Sequence, residues 1–250
     1  MKVRFSMEME YAMVRVVCAL CVLLGVTGTS VSSQTISIQS SNSSSVTVVN
    51  GRVRTTGSVI VGSGVVVTKL IASRNIIALE QETSANIEWY ASSETIVEIT
   101  ADDNLVDRLV SVGPSGTLTV GGRQSFVSQS EIVVRVFSPS VNRAIIRGSG
   151  NCRLEGLNSK AVSITIEGSG DVDATGEVGS LNVTLKGSGD INCSELSATS
   201  VVVRSQGSGD ISVSSHGSVS GSMNGAGDLN VYGQARVTVS NNGAGEINRY

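Results

Sequence analysis

Five acidic residues recur at nearly constant spacing in the C-terminal half of this 250-residue chain. They are Asp171, Asp190, Asp210, Asp228 and Glu246, and each directly follows a Gly-Ser-Gly or Gly-Ala-Gly tripeptide. Carboxylates repeated in this way could supply the oxygen ligands that calcium prefers. They could equally accept hydrogen bonds from backbone amides at a turn, as Asp often does. We therefore treat the four aspartates as candidate calcium ligands, with a structural role at a turn as the alternative.

The elements that position these carboxylates follow from a six-copy repeat. Its glycine pairs are Gly148 and Gly150, Gly168 and Gly170, Gly187 and Gly189, Gly207 and Gly209, Gly225 and Gly227, and Gly243 and Gly245. The first glycines of successive copies are 20, 19, 20, 18 and 18 residues apart. A period near twenty that recurs this often is typical of stacked-repeat proteins. The paired glycines indicate a fixed corner whose backbone angles or close contacts exclude a Cβ atom.

Apolar residues lie two apart on both sides of each corner, which predicts strands with one buried face. Val162, Ile164 and Ile166 precede Gly168, for example, and Val172 follows it. We predict an all-β fold, a right-handed parallel β-helix (solenoid) with rungs of about 18–20 residues. Adjacent rungs would lie about 4.8 Å apart. Neighbouring carboxylates at such a separation repel each other by about 1 kcal/mol in water and about 4 kcal/mol at an effective dielectric of 20. Bound calcium or hydrogen bonds must therefore offset this repulsion.

The same register places two cysteines inside the solenoid. Cys152 falls in the column of Val172, and Cys193 falls in the column of Ala174, two rungs further on. Two rungs correspond to roughly 9.6 Å, whereas a disulfide requires Cα atoms within about 7 Å. We predict no disulfide, and two free, buried thiols that pack as small hydrophobic groups.

The N-terminal residues are typical of a secretory signal. An apolar run, Val16–Val26, follows Arg15, and the small residues Gly28, Thr29 and Ser30 follow the run. We predict a signal peptide at residues 1–30, with Met13 as an alternative start and a signal anchor as the alternative segment. Residues 31–57 are Ser/Thr-rich and form a leader or an irregular first rung. Residues 58–250 are predicted to be one β-helical domain, irregular over 58–140 and regular over 141–250.

The composition limits the classes of partner and the kinds of chemistry that we expect. The formal net charge of -3 gives no general attraction to nucleic acid. His216 is the only histidine and lies in a Ser-rich turn, so we predict no catalytic residues and no enzyme. Aromatic candidates for sugar binding are Trp89, Tyr90 and Tyr232, and no cofactor other than calcium is indicated. Three N-glycosylation sequons begin at Asn42, Asn182 and Asn192.

The chain resembles the putative auto-transporter adhesin head GIN domain family. The resemblance rests on residues 97–105 (VEITADDNL), 116–120 (GTLTV), 131–139 (EIVVRVFSP), the Gly-Ser-Gly-Asp units, Val231-Tyr232-Gly233 and Gly245-Glu246-Ile247. It covers roughly residues 58 to 250. It implies a right-handed β-helix, export, and a family of unknown biochemical function.

We therefore expect an exported, non-enzymatic β-solenoid that acts as a surface or extracellular adhesion module. The expected location is secreted or on the cell surface, or periplasmic if the source is bacterial. Its partner would be an extracellular protein or glycan, and the open solenoid ends could support self-association. The alternative is a carbohydrate-active β-helix that binds or cleaves polysaccharide.

Overall fold

The computed structural model describes residues 59–73, 75–121 and 125–250, together with strands at 36–39, 45–49 and 52–56. The predicted signal peptide, Met13 and Asn42 lie outside the described residues. The chain divides into two compact units, Met1–Ser58 and Val59–Tyr250. In the first unit, strands β1 (Ile36–Gln39), β2 (Ser45–Val49) and β3 (Arg52–Thr56) form an antiparallel sheet in the order β1-β2-β3.

The second unit is a parallel β-solenoid of about five turns, and the described residues contain no helix. Its strands are β4 (Ile60–Val61), β5 (Val66–Ala72), β6 (Ala78–Gln81), β7 (Asn86–Ala91), β8 (Ile96–Asp102), β9 (Val110–Val112), β10 (Thr117–Val120), β11 (Phe126–Val127), β12 (Val133–Ser138), β13 (Arg143–Ile146), β14 (Cys152–Ile166), β15 (Val172–Leu185), β16 (Ile191–Ser205), β17 (Ile211–Met223), β18 (Leu229–Tyr232), β19 (Arg236–Asn241) and β20 (Ile247–Arg249). The predicted all-β solenoid is confirmed.

Parallel pairing carries identical positions of the repeat from one rung to the next. Cys152 pairs with Val172, Val172 with Ile191, Ile191 with Ile211, and the column continues through Leu229 to Ile247. Side chains alternate between the core and the surface along each strand, as the period of two requires. The interior is therefore built from columns of aliphatic side chains rather than from large aromatic groups.

One rung of the solenoid has no glycine repeat in its sequence. Strand β6 pairs in parallel with β13, Leu79 opposite Ala144, and β7 pairs in parallel with β14, Ile87 opposite Cys152. The corner between β6 and β7 therefore occupies the position that Gly148 and Gly150 occupy one rung later. It holds Thr83 and Ala85 in place of the two glycines.

Strands β10 and β12 lie in parallel against this rung, and antiparallel strands lie beyond them. Strand β12 pairs in parallel with β7 and antiparallel with β8, and β8 pairs antiparallel with β5. Strand β9 pairs antiparallel with β10, which lies in parallel against β6. The indole of Trp89 is fully buried here and donates a 2.8 Å hydrogen bond to the Ser138 hydroxyl.

Candidate functional site

The glycine corners are close approaches between rungs. A Cβ atom placed on Gly168 would lie 2.0 Å from the carbonyl oxygen of Gly148, and one on Gly189 would lie 2.1 Å from that of Gly170. All twelve corner glycines meet a carbonyl oxygen of the preceding rung in this way, at 1.8–2.1 Å. A Cβ atom on a corner residue would thus point toward the preceding rung. Thr83 and Ala85 hold the corresponding positions one rung before Gly148 and Gly150, and both carry side chains.

An amide side chain supports that first corner. Gln81 is fully buried, and its Nε2 donates to the carbonyl oxygens of Thr83, Ala85 and Gly150 at 2.6, 2.9 and 3.1 Å. Its Oε1 accepts from the backbone N–H of Gly148 at 3.0 Å. Asn241 occupies the same column six rungs later, where it donates to the carbonyl oxygen of Gly245 and accepts from the backbone N–H of Gly243. The intervening rungs mostly hold aliphatic residues in this column, so amides mark the two ends of the corner stack.

The acidic column forms one continuous hydrogen-bonded ladder, which we call the acidic ladder. Oδ1 of Asp171 accepts from the backbone N–H of Asp190 at 2.8 Å, and Oδ1 of Asp190 accepts from the N–H of Asp210 at 2.7 Å. Oδ1 of Asp210 accepts from Asp228 at 2.8 Å, and Oδ1 of Asp228 from Glu246 at 2.7 Å. Each of the four aspartates therefore uses one oxygen to bind the backbone of the next rung.

Asparagine begins the same ladder. Oδ1 of Asn86 accepts from the N–H of Asn151 at 2.9 Å, and Oδ1 of Asn151 accepts from the N–H of Asp171 at 3.0 Å. The ladder position thus requires an acceptor oxygen but not a charge. Within the described ranges, no group of three or more His, Cys, Asp or Glu side chains is arranged to hold a metal ion. Calcium binding by the four aspartates stays a prediction.

A second surface column lies immediately before the first glycine of each corner. Its first four residues alternate in charge, and its last three are neutral amides. It reads Glu82, Arg147, Glu167, Lys186, Gln206, Asn224 and Asn242 from rung to rung. Arg147 donates to Glu167 at 3.1 Å, and Lys186 donates to Glu167 at 3.0 Å. The hydrogen bond from Lys186 is the main cause of a lowered pKa at Glu167, to which Arg147 contributes. Opposite charges on successive rungs stabilise this column, whereas the acidic ladder carries charges of one sign.

The two solenoid cysteines are buried and free. Burial raises the pKa of each thiol to about 12, and the negative charge of Asp173 adds to the increase. At neutral pH both side chains are therefore protonated thiols and poor nucleophiles.

The aromatic candidates are either buried or have one ring face covered by another ring. Trp89 is buried. The rings of Tyr90 and Phe137, on adjacent strands, stack with centroids 5.5 Å apart, and those of Tyr232 and Tyr250 stack at 5.0 Å. His216 lies at the surface with its Nε2 3.4 Å from the Thr199 hydroxyl, in no cluster with the carboxylates of the ladder.

Two sequon asparagines lie within strands. Asn182 is half-buried in β15, between Ser163 and Val202 of the neighbouring strands. Asn192 is exposed, but its Nδ2 donates to Asp173 at 3.0 Å and its Oδ1 accepts from the Ser194 hydroxyl at 2.7 Å. The nitrogen that a glycan would modify is thus engaged within the sheet. Glycosylation of either residue stays a prediction.

Sequence reasoning missed a buried carboxylate, Asp102, at the end of β8. Its two oxygens accept from the hydroxyls of Ser128 and Ser130, both at 2.6 Å, and from the backbone N–H groups of Gly64 at 2.8 Å and Gln129 at 3.0 Å. Burial alone would raise the pKa of Asp102, but the four hydrogen bonds lower it to about 2. The residue joins three separate segments of the chain. The sequence offered only the acidic tripeptide Asp102-Asp103-Asn104 as a signal.

Among the described residues, no helix is long and apolar enough to cross a membrane. This finding concerns helices alone.

Solved structures of three bacterial proteins are similar to this chain. A putative adhesin from Bacteroides fragilis is 23% identical, with a TM-score of 0.62 over 76% of this chain and 100% of its own. A putative adhesin from Parabacteroides merdae is 15% identical, with a TM-score of 0.48 over 76% of this chain and 98% of its own. A putative lipid binding protein from Parabacteroides distasonis is 20% identical, with a TM-score of 0.49 over 77% of this chain and 100% of its own. At 23% identity, the similarity to the Bacteroides fragilis structure shows the fold alone.

No curated protein matches the sequence. A family model does match, over residues 75–235, from the unrepeated first rung to the end of β18. The match therefore spans the ladder from Asn86 to Asp228 and includes the buried Asp102. On this evidence the chain belongs to the family described as putative auto-transporter adhesin, head GIN domain.

Proposed function

We propose that the chain is an exported, non-enzymatic β-solenoid that acts as an adhesion or interaction module at the cell surface or outside the cell. The observation that carries this proposal is that the carboxylates of the acidic ladder hold successive rungs together. The carboxylates from Asp171 to Asp228 each bind the backbone of the next rung, and the ladder makes the solenoid one rigid unit. Rigid solenoids provide long surfaces suited to binding extended partners.

The arrangement of the titratable groups favours binding over catalysis. General acid–base chemistry on a polysaccharide requires two carboxyl groups that converge on one substrate bond. The ladder carboxylates instead line one edge in single file, and the thiols of Cys152 and Cys193 are buried and protonated. The adhesin family supports the same conclusion.

Export is proposed from the sequence. The apolar run Val16–Val26 and the small residues after it are typical of a secretory signal. The buried free cysteines are compatible with an oxidising compartment because neither thiol is accessible to an oxidant or a partner thiol.

Self-association is part of the same proposal. Among the described strands, β19 pairs only with β17, and β20 pairs only with β18. Strand β5, at the other side of the sheet, pairs only with β8 and exposes Leu70 by 65%. Such edges present unpaired backbone groups to another chain.

The proposal is tested by locating the protein and measuring its adhesion. Native cells should release it, or expose it to external protease, and N-terminal sequencing should show cleavage near residue 30. Purified protein immobilised on a surface should retain cells or extracellular material that an albumin-coated surface does not. An uncleaved cytoplasmic protein would overturn export, and equal retention by both surfaces would overturn adhesion. Light scattering across a concentration series tests self-association, which a constant monomer mass would contradict.

A further inference from the structure

One surface of the solenoid differs from the rest in its chemistry. It is formed by β13, the second halves of β14 to β17, and β19, which lie side by side in parallel register. We call its outward residues the hydroxyl face. In rows across the strands they are Ala161, Ser180, Ser200, Ser218 and Arg236; Arg143, Ser163, Asn182, Val202, Ser220 and Thr238; and Ile145, Thr165, Thr184, Arg204, Ser222 and Ser240.

The hydroxyl face contains no carboxylate. Its strand segments, 143–146, 161–166, 180–185, 200–205, 218–223 and 236–241, contain neither Asp nor Glu. The first halves of β14 to β16 hold Glu155, Asp173, Glu177 and Glu195, and the acidic ladder lies at the corner that precedes them. Two carboxylates border the face, Glu80 beside Ile145 and Glu167 two residues after Thr165, and both are paired with arginine or lysine. The other carboxylates of the regular rungs lie away from this face.

Two arginines on the face have no counter-ion. Arg204 and Arg236 are exposed, and neither forms an ion pair or a side-chain hydrogen bond with any described residue. Arg143, Arg147 and Arg153 differ, since they pair with Glu80, Glu167 and Glu155 respectively. A guanidinium that no carboxylate neutralises remains available to an external anion.

The spacing of the two arginines suits an extended ligand. Arg204 lies in register with Ser222 and Ser240, four residues along β19 from Arg236. Two strand steps of about 4.8 Å and four residues of about 3.3 Å separate their Cα atoms by roughly 16 Å. Between them lie hydroxyl groups of Ser218, Ser220 and Ser222 on the intervening strand, which can donate and accept hydrogen bonds.

We propose that the hydroxyl face binds an acidic polysaccharide. The inference rests on the proposed adhesion function and names its partner class. Arg204 and Arg236 bind carboxylate or sulfate groups through paired N–H donors, and the serine and threonine hydroxyls hydrogen-bond the sugar hydroxyls between them. A protein partner fits less well because protein interfaces depend on buried aromatic or large apolar anchors. The face offers only the half-buried Val202 and Ile145 in that role.

The test measures binding of the full chain to immobilised heparin, which is sulfated, to polygalacturonate, which carries carboxylates, and to neutral dextran. We expect binding to at least one acidic polymer, weakening with added salt, and none to dextran. The double variant Arg204→Gln/Arg236→Gln should lose at least about tenfold in affinity, because it removes both guanidinium groups that form charge-assisted bonds to the polymer. The matched control is Arg249→Gln, an exposed arginine outside the face that also lacks an ion pair, which should leave affinity within about twofold.

The outcomes separate the two proposals. Equal binding by the double variant, binding to dextran alone, or no binding to any of the three polymers would overturn the acidic-polysaccharide inference. Adhesion would survive each of these results if the immobilised chain still retained cells or extracellular material. Retention that survives removal of acidic glycans and requires a protein component would instead assign a protein partner. Because Arg204 and Arg236 are exposed, equal melting temperatures of the variants check that loss of binding is not loss of folding.

Discussion

The backbone N–H of Asp210 donates a 2.7 Å hydrogen bond to Oδ1 of Asp190, one rung earlier in the solenoid. The relationship is the same between every pair of successive ladder residues, so each acceptor side chain is joined to the next rung through a backbone N–H. Each bond to a carboxylate is charge-assisted and stronger than one between neutral groups. The bonds thus oppose the repulsion between neighbouring carboxylates.

The ladder predicts that the acceptor oxygen at position 190 matters more than its charge. Asp190→Ala leaves the N–H of Asp210 without its partner and should lower the free energy of unfolding by about 1–2 kcal/mol. Asp190→Asn keeps an acceptor oxygen, as Asn151 and Asn86 do in the same column, and removes one repelling charge. It should be neutral or slightly stabilising. Urea unfolding of both variants is the measurement, and equal destabilisation by Asn and Ala would show that the charge is required.

The hydrogen bonds of the acidic ladder also limit the number of carboxylate oxygens that calcium could bind. Each of the four ladder aspartates has one oxygen engaged by the next rung, which leaves single outward oxygens rather than the six to eight ligands that calcium takes. We expect the same melting temperature in excess EDTA and in millimolar calcium. A calcium-dependent rise would assign a cation site, because a ligand that binds only the folded state stabilises it. Asp190→Asn/Asp210→Asn would then have to abolish the rise.

The corner glycines predict a sharp contrast between adjacent residues. A Cβ atom on Gly189 would lie 2.1 Å from the carbonyl oxygen of Gly170, and the rungs cannot separate without breaking their hydrogen bonds. Gly189→Ala should therefore cost about 3 kcal/mol or more of the free energy of unfolding, or prevent folding. Ser188→Ala, at the exposed residue before it, should change stability by less than about 0.5 kcal/mol. Thermal unfolding compares the two, and similar stabilities would refute the close-approach explanation.

Periodicity was sufficient to predict the regular rungs, since a strand, a corner and a column of equivalent residues all follow from the spacing of glycines and aliphatic residues. Periodicity did not predict the rung of β6 and β7, because its corner carries Thr83 and Ala85 in place of the two glycines. Its available sequence signal was the alternation of apolar residues from Leu79 to Trp89, which is ambiguous over so short a segment.

The network around Asp102 could not be predicted for a different reason. Its donors come from Gly64 and from residues 128–130, far apart in sequence, and antiparallel pairing of β5, β8 and β12 brings them together. No repeat fixes the register of those strands. The sequence was sufficient to predict the ladder as a column of carboxylates. It could not predict which N–H group each carboxylate oxygen accepts from, because that depends on the direction in which the side chains point along the stack.

A buried hydroxyl without a partner predicts a stabilising substitution. Ser205 is fully buried between Leu185 and Met223, and its Oγ has no hydrogen-bond partner. Ser205→Ala removes an unsatisfied polar group and should raise the free energy of unfolding by about 1 kcal/mol. The matched control is Ser138→Ala, equally buried, whose hydroxyl accepts the bond from Trp89 and whose loss should be destabilising by about 1–2 kcal/mol. Urea unfolding should give opposite signs, and destabilisation by both substitutions would contradict the assignment.

Asp102 predicts how acid affects stability. Its pKa is lowered from 3.8 to about 2 in the folded protein, so the folded state favours the ionised form. A group with a lowered folded pKa stabilises fully above its unfolded pKa, and that contribution falls as the pH drops from about 4 to about 2. The shift corresponds to roughly 2 kcal/mol at neutral pH. Unfolding free energies of the wild type and Asp102→Ala should thus converge as the pH approaches 2.

The comparison isolates Asp102 because other carboxylates titrate equally in both proteins. Asp107→Ala serves as the control, since this exposed residue forms only a surface ion pair with Lys69, which should contribute less than about 1 kcal/mol at any pH. A wild-type advantage over Asp102→Ala that stays constant from pH 7 to pH 2 would show that the side chain stabilises by packing rather than by its charge. Convergence would identify the ionised carboxylate as the group that joins β8 to the segments at Gly64 and Gln129.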